Sequence, residues 1–458
     1  MKSSLNDLQP WVSGAIVASN AKFNGVCIDS RRMVAGSLFV ALKGDQFDGH
    51  AFVGEAVAKG AAAVVVERLP EGLKGPAMVV PNTRTALGEI ARHWRRQFSM
   101  PIIGVTGSNG KTTIKEMIAS ILSAALGNDQ CLATHGNFNN DIGVPLTVLR
   151  MEAKHKAAVI EMGTNHPGEI AVLTAIAQPT LGLINNAQRD HQQYMISVEA
   201  VAQENGAVIK ALPANGIAVF PADDQYTPLW AGYASSVGQR KVMTFGLSGN
   251  PDVTCTYQPN IFGSDLQVTA GKRQFQVRLS AAGEHNVRNA LAATACALAV
   301  GISVDAVVKG LEAFVPVNGR LQRKTARCGA LIIDDTYNAN PDSVRAAIDV
   351  LAQMAAPRVL VLGDMGEVGD KGKQFHEEIG AYARGRRIER LITLGNLAAH
   401  ASGAFGAHAK HFNDINAMQQ ALDGILTAKT TALIKGSRFM EMERVVQYLV
   451  GEPAQGAH

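Results

Sequence analysis

Cysteine is scarce in this chain, and the few cysteines present form no pattern. The 458 residues contain five of them, an odd number, and no two are spaced as a C-x-x-C pair. Disulfide frameworks use cysteines in even numbers, and structural zinc sites use closely spaced pairs. The sequence therefore argues against both, and it favours a reduced, intracellular protein.

Long apolar runs are also missing. No apolar run reaches the roughly 18 residues that a membrane-spanning helix needs. The first residues, MKSSLNDLQPWVSG, lack the charged and then apolar pattern of a secretory signal. We therefore expect a cytoplasmic protein without an integral membrane segment.

Concentrated positive charge is absent as well. The net charge is +4, and arginines cluster only briefly, within Arg92–Arg96 and Arg384–Arg387. Such short clusters usually mark the solvated face of a helix, whereas nucleic-acid binding needs a longer basic stripe. With 47% hydrophobic and 18% charged residues, the composition is that of a folded globular protein, and no nucleic-acid partner is expected.

Length and the order of apolar segments predict an α/β protein of three domains. At about 150 residues per domain, the chain has room for three. A proline ends a predicted helix at Phe98–Pro101, and a VPVNG segment lies near residues 315–319. We therefore predict domains at residues 1–99, 100–316 and 317–458.

The three predicted domains differ in their patterns. The first reads as a mixed α/β domain. The second alternates strands with helices, which predicts a mainly parallel sheet, and it adds antiparallel strands between Asp252 and Ser280. The third is predicted to be a doubly wound, Rossmann-like domain without a phosphate loop of its own.

The segment TGSNGKTT (Thr106–Thr113) is a candidate phosphate-binding loop. The common form, G-x-x-x-x-G-K-[ST], would place its first glycine where this chain has Val105. The segment nevertheless follows an apolar strand and opens an amphipathic helix, and its glycines and the helix N-terminus can bind phosphate oxygens. A glycine turn with an incidental lysine is the alternative. The predicted ATP-binding residues of this loop are Gly107, Ser108, Asn109, Gly110, Lys111, Thr112 and Thr113.

Two further residues are candidate magnesium ligands beside the Thr112 hydroxyl. Glu161 ends an apolar strand, and His191 follows the next strand, so both should lie at the phosphate-binding edge of a parallel sheet. A solvated strand end is the alternative for Glu161. A structural histidine is the alternative for His191.

Seven motifs, in order along the chain, carry a family resemblance. They are TGSNGKTT, HGNFNNDIGVPLT (His135–Thr147), EMGTNHPGEI (Glu161–Ile170), NN…H (Asn185 to His191), GEHNVRNALAA (Gly283–Ala293), GRLQ (Gly319–Gln322) and DDTYNANPDS (Asp334–Ser343). The chain resembles the Mur ligases, which are ATP-dependent amide-forming enzymes of peptidoglycan synthesis, over essentially its whole length.

The resemblance implies an ATP-dependent amide (peptide) ligase that uses Mg²⁺ and releases ADP and phosphate. YNANP and GDMGEVGD (Gly363–Asp370) are similar to the members that add D-alanyl-D-alanine to UDP-N-acetylmuramoyl-tripeptide through an acyl phosphate, which gives the pentapeptide. Such a role serves cell-wall biogenesis, and thereby cell shape and division. The resemblance implies a UDP-sugar-peptide-binding N-terminal domain, a central ATPase domain and a dipeptide-binding C-terminal domain. We expect a monomer.

The resemblance also implies roles for individual residues. Thr112, Glu161 and His191 match the magnesium ligands, and Lys111 and Arg320 join the last two as catalytic residues. Asn286 and Asn289 match the adenine-side motif, and Arg320 and Asp335 match the C-terminal contribution to ATP binding. The matching substrate-binding residues are Ser30, Arg31, Lys43, Asn137, Asn140, Tyr337, Asn338 and Asn340. A polar turn is the alternative for Ser30 and Arg31.

One departure from the family concerns a lysine that several members carry after the histidine, in an A-K-G-E-like segment. In some members this lysine is carbamylated and serves a second magnesium. The matching stretch here is AQENGAVI (Ala202–Ile209), with Asn205 in the place of the lysine and Ala207 in the place of the glutamate. Our hypothesis is that Glu204 or water completes that shell.

Two other functions fit parts of the sequence. A folate polyglutamate ligase shares the chemistry, but DDTYNANP argues against it. An ATPase switch or motor shares the loop, but it would need a basic groove. Arg320 and Lys435 are cationic candidates for a substrate phosphate or carboxylate, with a surface position as the alternative for Lys435.

Overall fold

The computed structural model describes residues 1–44, 47–73, 75–238, 240–260 and 262–452. Its N-terminal region contains a small two-stranded sheet (β1, β3) and a five-stranded sheet with the order β2-β7-β6-β5-β4, in which only β2 is antiparallel to its neighbour. The elements are β1 (Lys2–Ser4), α1 (Leu5–Leu8), β2 (Ile16–Val17), β3 (Lys22–Asn24), β4 (Val26–Cys27), β5 (Leu38–Val40), α2 (Val53–Ala58), β6 (Ala63–Val66), β7 (Ala77–Val79) and α3 (Thr83–Arg95).

The central region is built on a nine-stranded sheet. The strand order is β16-β15-β14-β13-β12-β11-β8-β10-β9, parallel from β9 to β14 and antiparallel from β14 to β16. Its strands are β8 (Ile102–Thr106), β9 (Cys131–Ala133), β10 (Ala157–Glu161), β11 (Leu181–Ile184), β12 (Ile217–Pro221), β13 (Lys241–Phe245), β14 (Val253–Asn260), β15 (Gly263–Ala270) and β16 (Arg273–Leu279). Its helices are α4 (Lys111–Leu126), α5 (Gly143–Leu149), α6 (Glu169–Ala177), α7 (Val198–Asn205), α8 (Ala207–Lys210), α9 (Thr227–Ser235), α10 (Glu284–Ala299) and α11 (Val304–Ala313).

The C-terminal region contains a six-stranded sheet with the order β17-β18-β22-β19-β20-β21, parallel except for β17. Its strands are β17 (Gln322–Thr325), β18 (Leu331–Asp335), β19 (Arg358–Gly363), β20 (Arg390–Leu394), β21 (Ala409–Phe412) and β22 (Thr431–Lys435). Its helices are α12 (Pro341–Ala352), α13 (Gly372–Gly385), α14 (Ala398–Phe405), α15 (Ile415–Ile425) and α16 (Glu443–Val450). The predicted α/β class, the mainly parallel central sheet and the Rossmann-like C-terminal region are confirmed.

The central sheet is buried on both faces. Along β8 the side chains alternate, so that Ile102 packs in one core while Ile103 and Val105 pack in the other. The first of these cores also contains N-terminal residues such as Leu5, and α3 packs on α5 and α6 of the central region. The N-terminal region and one face of the central sheet therefore share one hydrophobic core, whereas the C-terminal region has cores of its own.

The strand order places the loop of residues 107–110 at the middle of the central sheet. Strand β8 lies between β10 and β11, and the loop connects β8 to α4. In open α/β sheets, ligands bind at the carboxyl ends of the strands where the order reverses. None of the helices in the described part of the chain combines the length and apolar character needed to span a bilayer.

Candidate active site

The loop between β8 and α4 is held in shape by the segment after β11. Gly110 adopts a left-handed conformation (φ 85°), and a Cβ atom there would lie 2.5 Å from Asn289 Oδ1 and 2.7 Å from Asn185 Nδ2. Asn185 Nδ2 donates to the Asn109 carbonyl at 2.8 Å, and the Asn109 amide donates to Asn186 Oδ1 at 2.9 Å. Only glycine fits at position 110, because asparagine side chains pack directly against the backbone.

Lys111 folds back over this loop. Its Nζ donates to the Gly107 carbonyl at 2.6 Å and to the Ser108 carbonyl at 2.9 Å. The ammonium group therefore lies over the loop, at the N-terminus of α4, where about half a positive charge is added by the helix. A phosphate bound in the loop would meet both charges.

Glu161 is a buried carboxylate with one oxygen left free. Its Oε1 accepts hydrogen bonds from Thr112 Oγ1 at 3.0 Å and from Asn139 Nδ2 at 2.9 Å. Its Oε2 is buried and has no hydrogen-bond partner, although the residue is only 1% exposed. A buried anionic oxygen without a partner is costly, and a hard cation such as Mg²⁺ would satisfy it. Glu161 and Thr112 therefore fit a magnesium ion.

The described residues do not form a complete protein cage for that ion, since no group of three His, Cys, Asp or Glu side chains among them could hold a metal. Mg²⁺ commonly takes only one or two carboxylates from the protein and keeps its waters and the substrate phosphates as further ligands. The donor set is thus suited to a metal that arrives with a nucleotide.

His191 lines the same cavity as Thr112 and Glu161, and its ring contacts two carboxylates. Its Nδ1 forms a short hydrogen bond with Glu367 of the C-terminal region, and its Nε2 lies 3.4 Å from Asp190 Oδ2. Burial lowers the pKa of His191, but Glu367 and Asp190 outweigh this effect, and the pKa lies above its ordinary value. The hydrogen bond to His191 holds the pKa of Glu367 below its ordinary value.

The C-terminal region supplies cations and amides to the other wall of the site. Arg320 Nη2 donates to Thr112 Oγ1 at 2.9 Å, and its guanidinium lies 4.1 Å from the centre of the Tyr337 ring. Lys435 is buried, at 3% exposed, and pairs with Asp335 at 2.6 Å, so the surface alternative for Lys435 is wrong. The central region and the C-terminal region thus meet at Thr112.

Asn340 joins the phosphate loop to the C-terminal region. Its Nδ2 donates to Asn109 Oδ1 at 3.0 Å and to Asp190 Oδ1 at 3.1 Å. Its Oδ1 also accepts from the Ser343 amide at 2.9 Å, which caps α12. The loop and the first turn of α12 are therefore in direct contact.

A cavity of about 760 Å³ gathers most of the predicted site residues. Those that line it are Ser108, Asn109, Gly110, Lys111, Thr112, Thr113, Asn137, Asn140, Glu161, His191, Asn286, Asn289, Arg320, Asp335, Tyr337, Asn338 and Asn340. A smaller recess of about 260 Å³ adjoins it and is lined by Asn286, by Arg320 and by apolar residues such as Val317, Val350 and Met354.

Four predicted residues do not line that cavity. Gly107 contributes only its carbonyl to Lys111. In the N-terminal region, Ser30 is buried and donates to Glu55 at 2.9 Å, the exposed Arg31 pairs with Asp29, and Lys43 is exposed and forms a β-bridge with Asp48. Ser30 and Arg31 lie in a short helical turn (Ser30–Arg32) that is capped by Asp29, and their role in substrate binding stays a prediction.

The hypothesis for Glu204 needs correction. Its two carboxylate oxygens accept hydrogen bonds from the Gly168 and Ile170 amides, each at 2.8 Å, at the N-terminus of α6. Both oxygens of that carboxylate are thus occupied by amides at the N-terminus of α6, and Glu204 does not line the cavity. Asn205 is 1% exposed and accepts from Thr106 Oγ1 at 2.8 Å, so it braces the end of β8.

Several residues at the site were not foreseen. Arg189 forms ion pairs with Asp342 at 2.6 Å and Glu378 at 2.7 Å, both in the C-terminal region. Those carboxylates raise the pKa of Arg189 against the opposing effect of burial. Arg189 and Glu367 lie in two quoted motifs, NN…H and GDMGEVGD, but nothing in either motif indicates a partner so far along the chain.

Comparison with known protein families gives three consecutive matches. Residues 22–95 match the model described as Mur ligase family, catalytic domain, residues 105–297 match the Mur ligase middle domain, and residues 319–438 match the Mur ligase, glutamate ligase domain. These matches lie within the three predicted domains, whose outer limits stay a prediction.

Individual proteins match over nearly the whole chain. The chain is 38% identical, over 97% of its length and 98% of the relative's, to a UDP-N-acetylmuramoyl-tripeptide–D-alanyl-D-alanine ligase from Escherichia coli. A crystal structure of MurF from Acinetobacter baumannii superposes with a TM-score of 0.92 at 34% identity, covering 99% of both chains. MurF from Thermotoga maritima, solved in complex with ADP, gives a TM-score of 0.82 at 28% identity, covering 94% of this chain and 97% of the other.

Proposed function

This chain belongs to the Mur ligase family, and from that premise we propose that it joins D-alanyl-D-alanine to UDP-N-acetylmuramoyl-tripeptide. The reaction consumes ATP, releases ADP and phosphate, and gives the pentapeptide precursor of peptidoglycan. One observation carries the proposal from the structure. A single cavity collects the phosphate loop, the free oxygen of Glu161 and the polar side chains of the C-terminal region.

The phosphate loop between β8 and α4 serves the first half of the reaction. A peptide carboxylate is a poor acyl donor because its oxygen is a poor leaving group, and transfer of the γ-phosphoryl of ATP converts it into an acyl phosphate. Lys111 and the backbone amides after Gly107 hold the phosphates and offset their charge. Such catalysis rests on positioning and electrostatics rather than on covalent chemistry by side chains.

Glu161, through its free oxygen, Thr112 and His191 would hold magnesium at this site. When bound there, magnesium would neutralise charge on the phosphates and polarise the oxygens that react. Thr112 now donates its hydroxyl proton to Glu161 and accepts from Arg320, so these partners already hold its oxygen at the site.

The C-terminal side suits the second half of the reaction. The amine of D-alanyl-D-alanine attacks the acyl phosphate, phosphate leaves and an amide forms. We assign Arg320 to the departing phosphate, and Tyr337, Asn338 and Asn340 to polar contacts with the dipeptide. Lys435 is paired with Asp335, and we assign this pair to the nucleotide side.

We assign the adenine ring to the adjoining recess. That recess is largely apolar, and the Asn286 side chain at its rim bonds to the Ala282 carbonyl and to Asn289. Apolar recesses with a few convergent polar groups are typical of small-molecule and cofactor sites. Asn289 in turn bonds to Asn185 of the phosphate-loop wall at 3.1 Å, so base and phosphates would be held by one connected network.

Each of the three regions is assigned one of the substrates. The N-terminal region, residues 1–99, would hold the UDP end of the substrate through Ser30, Arg31 and Lys43, residues 100–316 would hold ATP, and residues 317–458 would hold the dipeptide. We place the reaction in the cytoplasm, where ATP and the nucleotide-linked precursor are found, and we expect a monomer.

A phosphate-release assay with single omissions tests the function. Purified protein with ATP, Mg²⁺, UDP-muramoyl tripeptide and D-alanyl-D-alanine should release phosphate, and mass spectrometry should find the pentapeptide. Omission of either substrate should abolish product. Turnover that needs nucleic acid, or a folate and glutamate in place of the two substrates, would overturn the assignment.

A further inference from the structure

A loop of the C-terminal region reaches the candidate metal site of the central region. We call residues 364–370 the Glu367 loop. The Glu367 carboxylate bonds to His191 Nδ1, and the Gln193 amide donates to the Glu367 carbonyl at 3.1 Å. Side chain and main chain of the same residue therefore both contact the segment that carries His191.

The backbone at this contact is strained on both sides. His191 has φ 49° and Glu367 has φ 55°, values in the left-handed region that few residues other than glycine adopt. Residues in this region persist only where the surroundings impose the conformation, and they cluster at functional sites. Two such residues meet across the two regions, which indicates a specific contact rather than an incidental one.

The Glu367 loop is anchored firmly in its own region. The Met365 amide donates to His376 Nε2 at 3.0 Å, and the Gly366 amide donates to Ser437 Oγ at 2.6 Å. Asp364 Oδ1 accepts from the Ala398 amide at 2.7 Å. Because three successive residues are fixed to the body of the C-terminal region, we expect Glu367 to move with that region.

A carboxylate on one nitrogen of an imidazole fixes both its tautomer and its orientation. With Nδ1 bonded to Glu367, the ring of His191 presents Nε2 as its second nitrogen, on the side of Asp190. We propose that Glu367 is a positioning residue that orients His191 as a metal ligand, so that the magnesium site of the central region is complete only when the C-terminal region is closed over it. This inference rests on the proposed role of His191 in the proposed function.

Two simpler roles for Glu367 give different results. A mere tie between the regions would affect metal binding only as far as it affects closure, so Glu367→Ala would then weaken Mn²⁺ binding no more than Glu378→Gln does at the same degree of opening. A carboxylate that competes with the metal for His191 would have the opposite sign, because its removal would strengthen metal binding. Metal affinity compared at equal closure therefore distinguishes all three roles.

The experiment measures Mn²⁺ binding by electron paramagnetic resonance in the presence of a non-hydrolysable ATP analogue. Partners of this kind typically change metal affinity by about 10- to 100-fold. We expect Glu367→Ala to weaken Mn²⁺ binding by such a factor and to raise the Mg²⁺ concentration needed for half-maximal ligation, with much of kcat restored at high Mg²⁺. Glu367→Gln keeps an oxygen that can accept from Nδ1–H and should retain most of the affinity.

The matched control is Glu377→Gln, which removes the same charge from a half-exposed position on α13. It should bind Mn²⁺ as the unmodified protein does, and circular dichroism should show that all three variants are folded. Unchanged or tighter Mn²⁺ binding by folded Glu367→Ala would overturn the inference, as would an equal loss in the control. If the unmodified protein neither binds Mn²⁺ with the analogue nor ligates, the proposed function itself fails.

Discussion

Arg189 ties the central region to the C-terminal region, and its replacement by alanine should loosen their contact. Its Nε and Nη2 donate to Asp342, and its Nη1 and Nη2 donate to Glu378. The guanidinium also lies 5.4 Å from the centre of the Phe375 ring. The Arg189 main-chain amide donates to Asp342 as well, and this bond would survive the substitution.

The magnitude follows from how exposed the ion pairs are. The side chains of Arg189, Asp342 and Glu378 are 24%, 22% and 31% exposed, so they are neither surface groups nor fully buried. Exposed pairs contribute about 0–1 kcal/mol, and loss of one partner of a buried pair costs about 3–5 kcal/mol. An intermediate loss of about 2 kcal/mol would shift the closure equilibrium about 30-fold.

Steady-state kinetics and small-angle X-ray scattering measure this shift. For Arg189→Ala we expect kcat/KM for D-alanyl-D-alanine to fall by up to about 30-fold, since only the closed fraction is competent. The radius of gyration with bound nucleotide should rise. Arg345→Ala is the matched control, because Arg345 pairs with Glu378 within the C-terminal region. Unchanged kinetics and scattering in Arg189→Ala, or an equal effect in the control, would refute the reasoning.

Three further changes have defined outcomes. Lys111→Ala should abolish ATP-dependent ligation in a protein whose circular dichroism is unaltered, and a rate equal to that of the unmodified enzyme would contradict the site. Glu161→Gln should remove the rise in thermal midpoint that Mg²⁺ and ADP give the unmodified protein, because ligand stabilisation depends on affinity. In the folded protein, burial lowers the pKa of His376 below the ordinary histidine value of about 6.5. As the pH falls below about 6.5, His376 therefore takes up a proton in the unfolded chain before it does so in the folded protein, and the free energy of unfolding decreases. His376→Gln should show a smaller loss of thermal midpoint between neutral and mildly acidic pH, and an identical loss would contradict this linkage.

The sequence predicted those parts of the site that depend on local order. Strand, glycine loop, lysine and helix lie next to one another in the chain, so Lys111 and Thr112 could be placed without knowledge of the fold. Glu161 and His191 follow strands, and strands of a parallel sheet end at one edge. The structure brings these residues to one cavity.

The sequence could not predict which side chains from distant segments would pair with each other. Lys435 and Asp335 are 100 residues apart, and only the neighbouring strands β18 and β22 make them partners. Glu204 looked like a metal ligand because it stands beside Asn205, yet a helix turns neighbouring side chains in different directions. It faces the start of α6 instead.

Strands with weak apolar patterns cannot be predicted from the sequence. Strand β13 (Lys241–Phe245) has a fully buried residue only at its end, and β21 (Ala409–Phe412) at the sheet edge has none. The core that joins the N-terminal region to the central sheet was missed for another reason. Periodicity shows which face of a helix is apolar, but not which neighbour covers that face.

The positions of Asn205 and Glu367 lead to one more expectation. The chain carries no anionic group at position 205, and a carboxylate reaches His191 from the C-terminal region instead. If closure tightens metal binding, then metal binding favours closure by the same factor, because coupling between two equilibria is reciprocal. Glu378→Gln weakens closure through Arg189, and its side chain touches none of the proposed metal ligands among the described contacts. It should therefore weaken Mn²⁺ binding measured with the ATP analogue, whereas equal Mn²⁺ affinity in a variant whose scattering shows an opened shape would separate closure from metal binding.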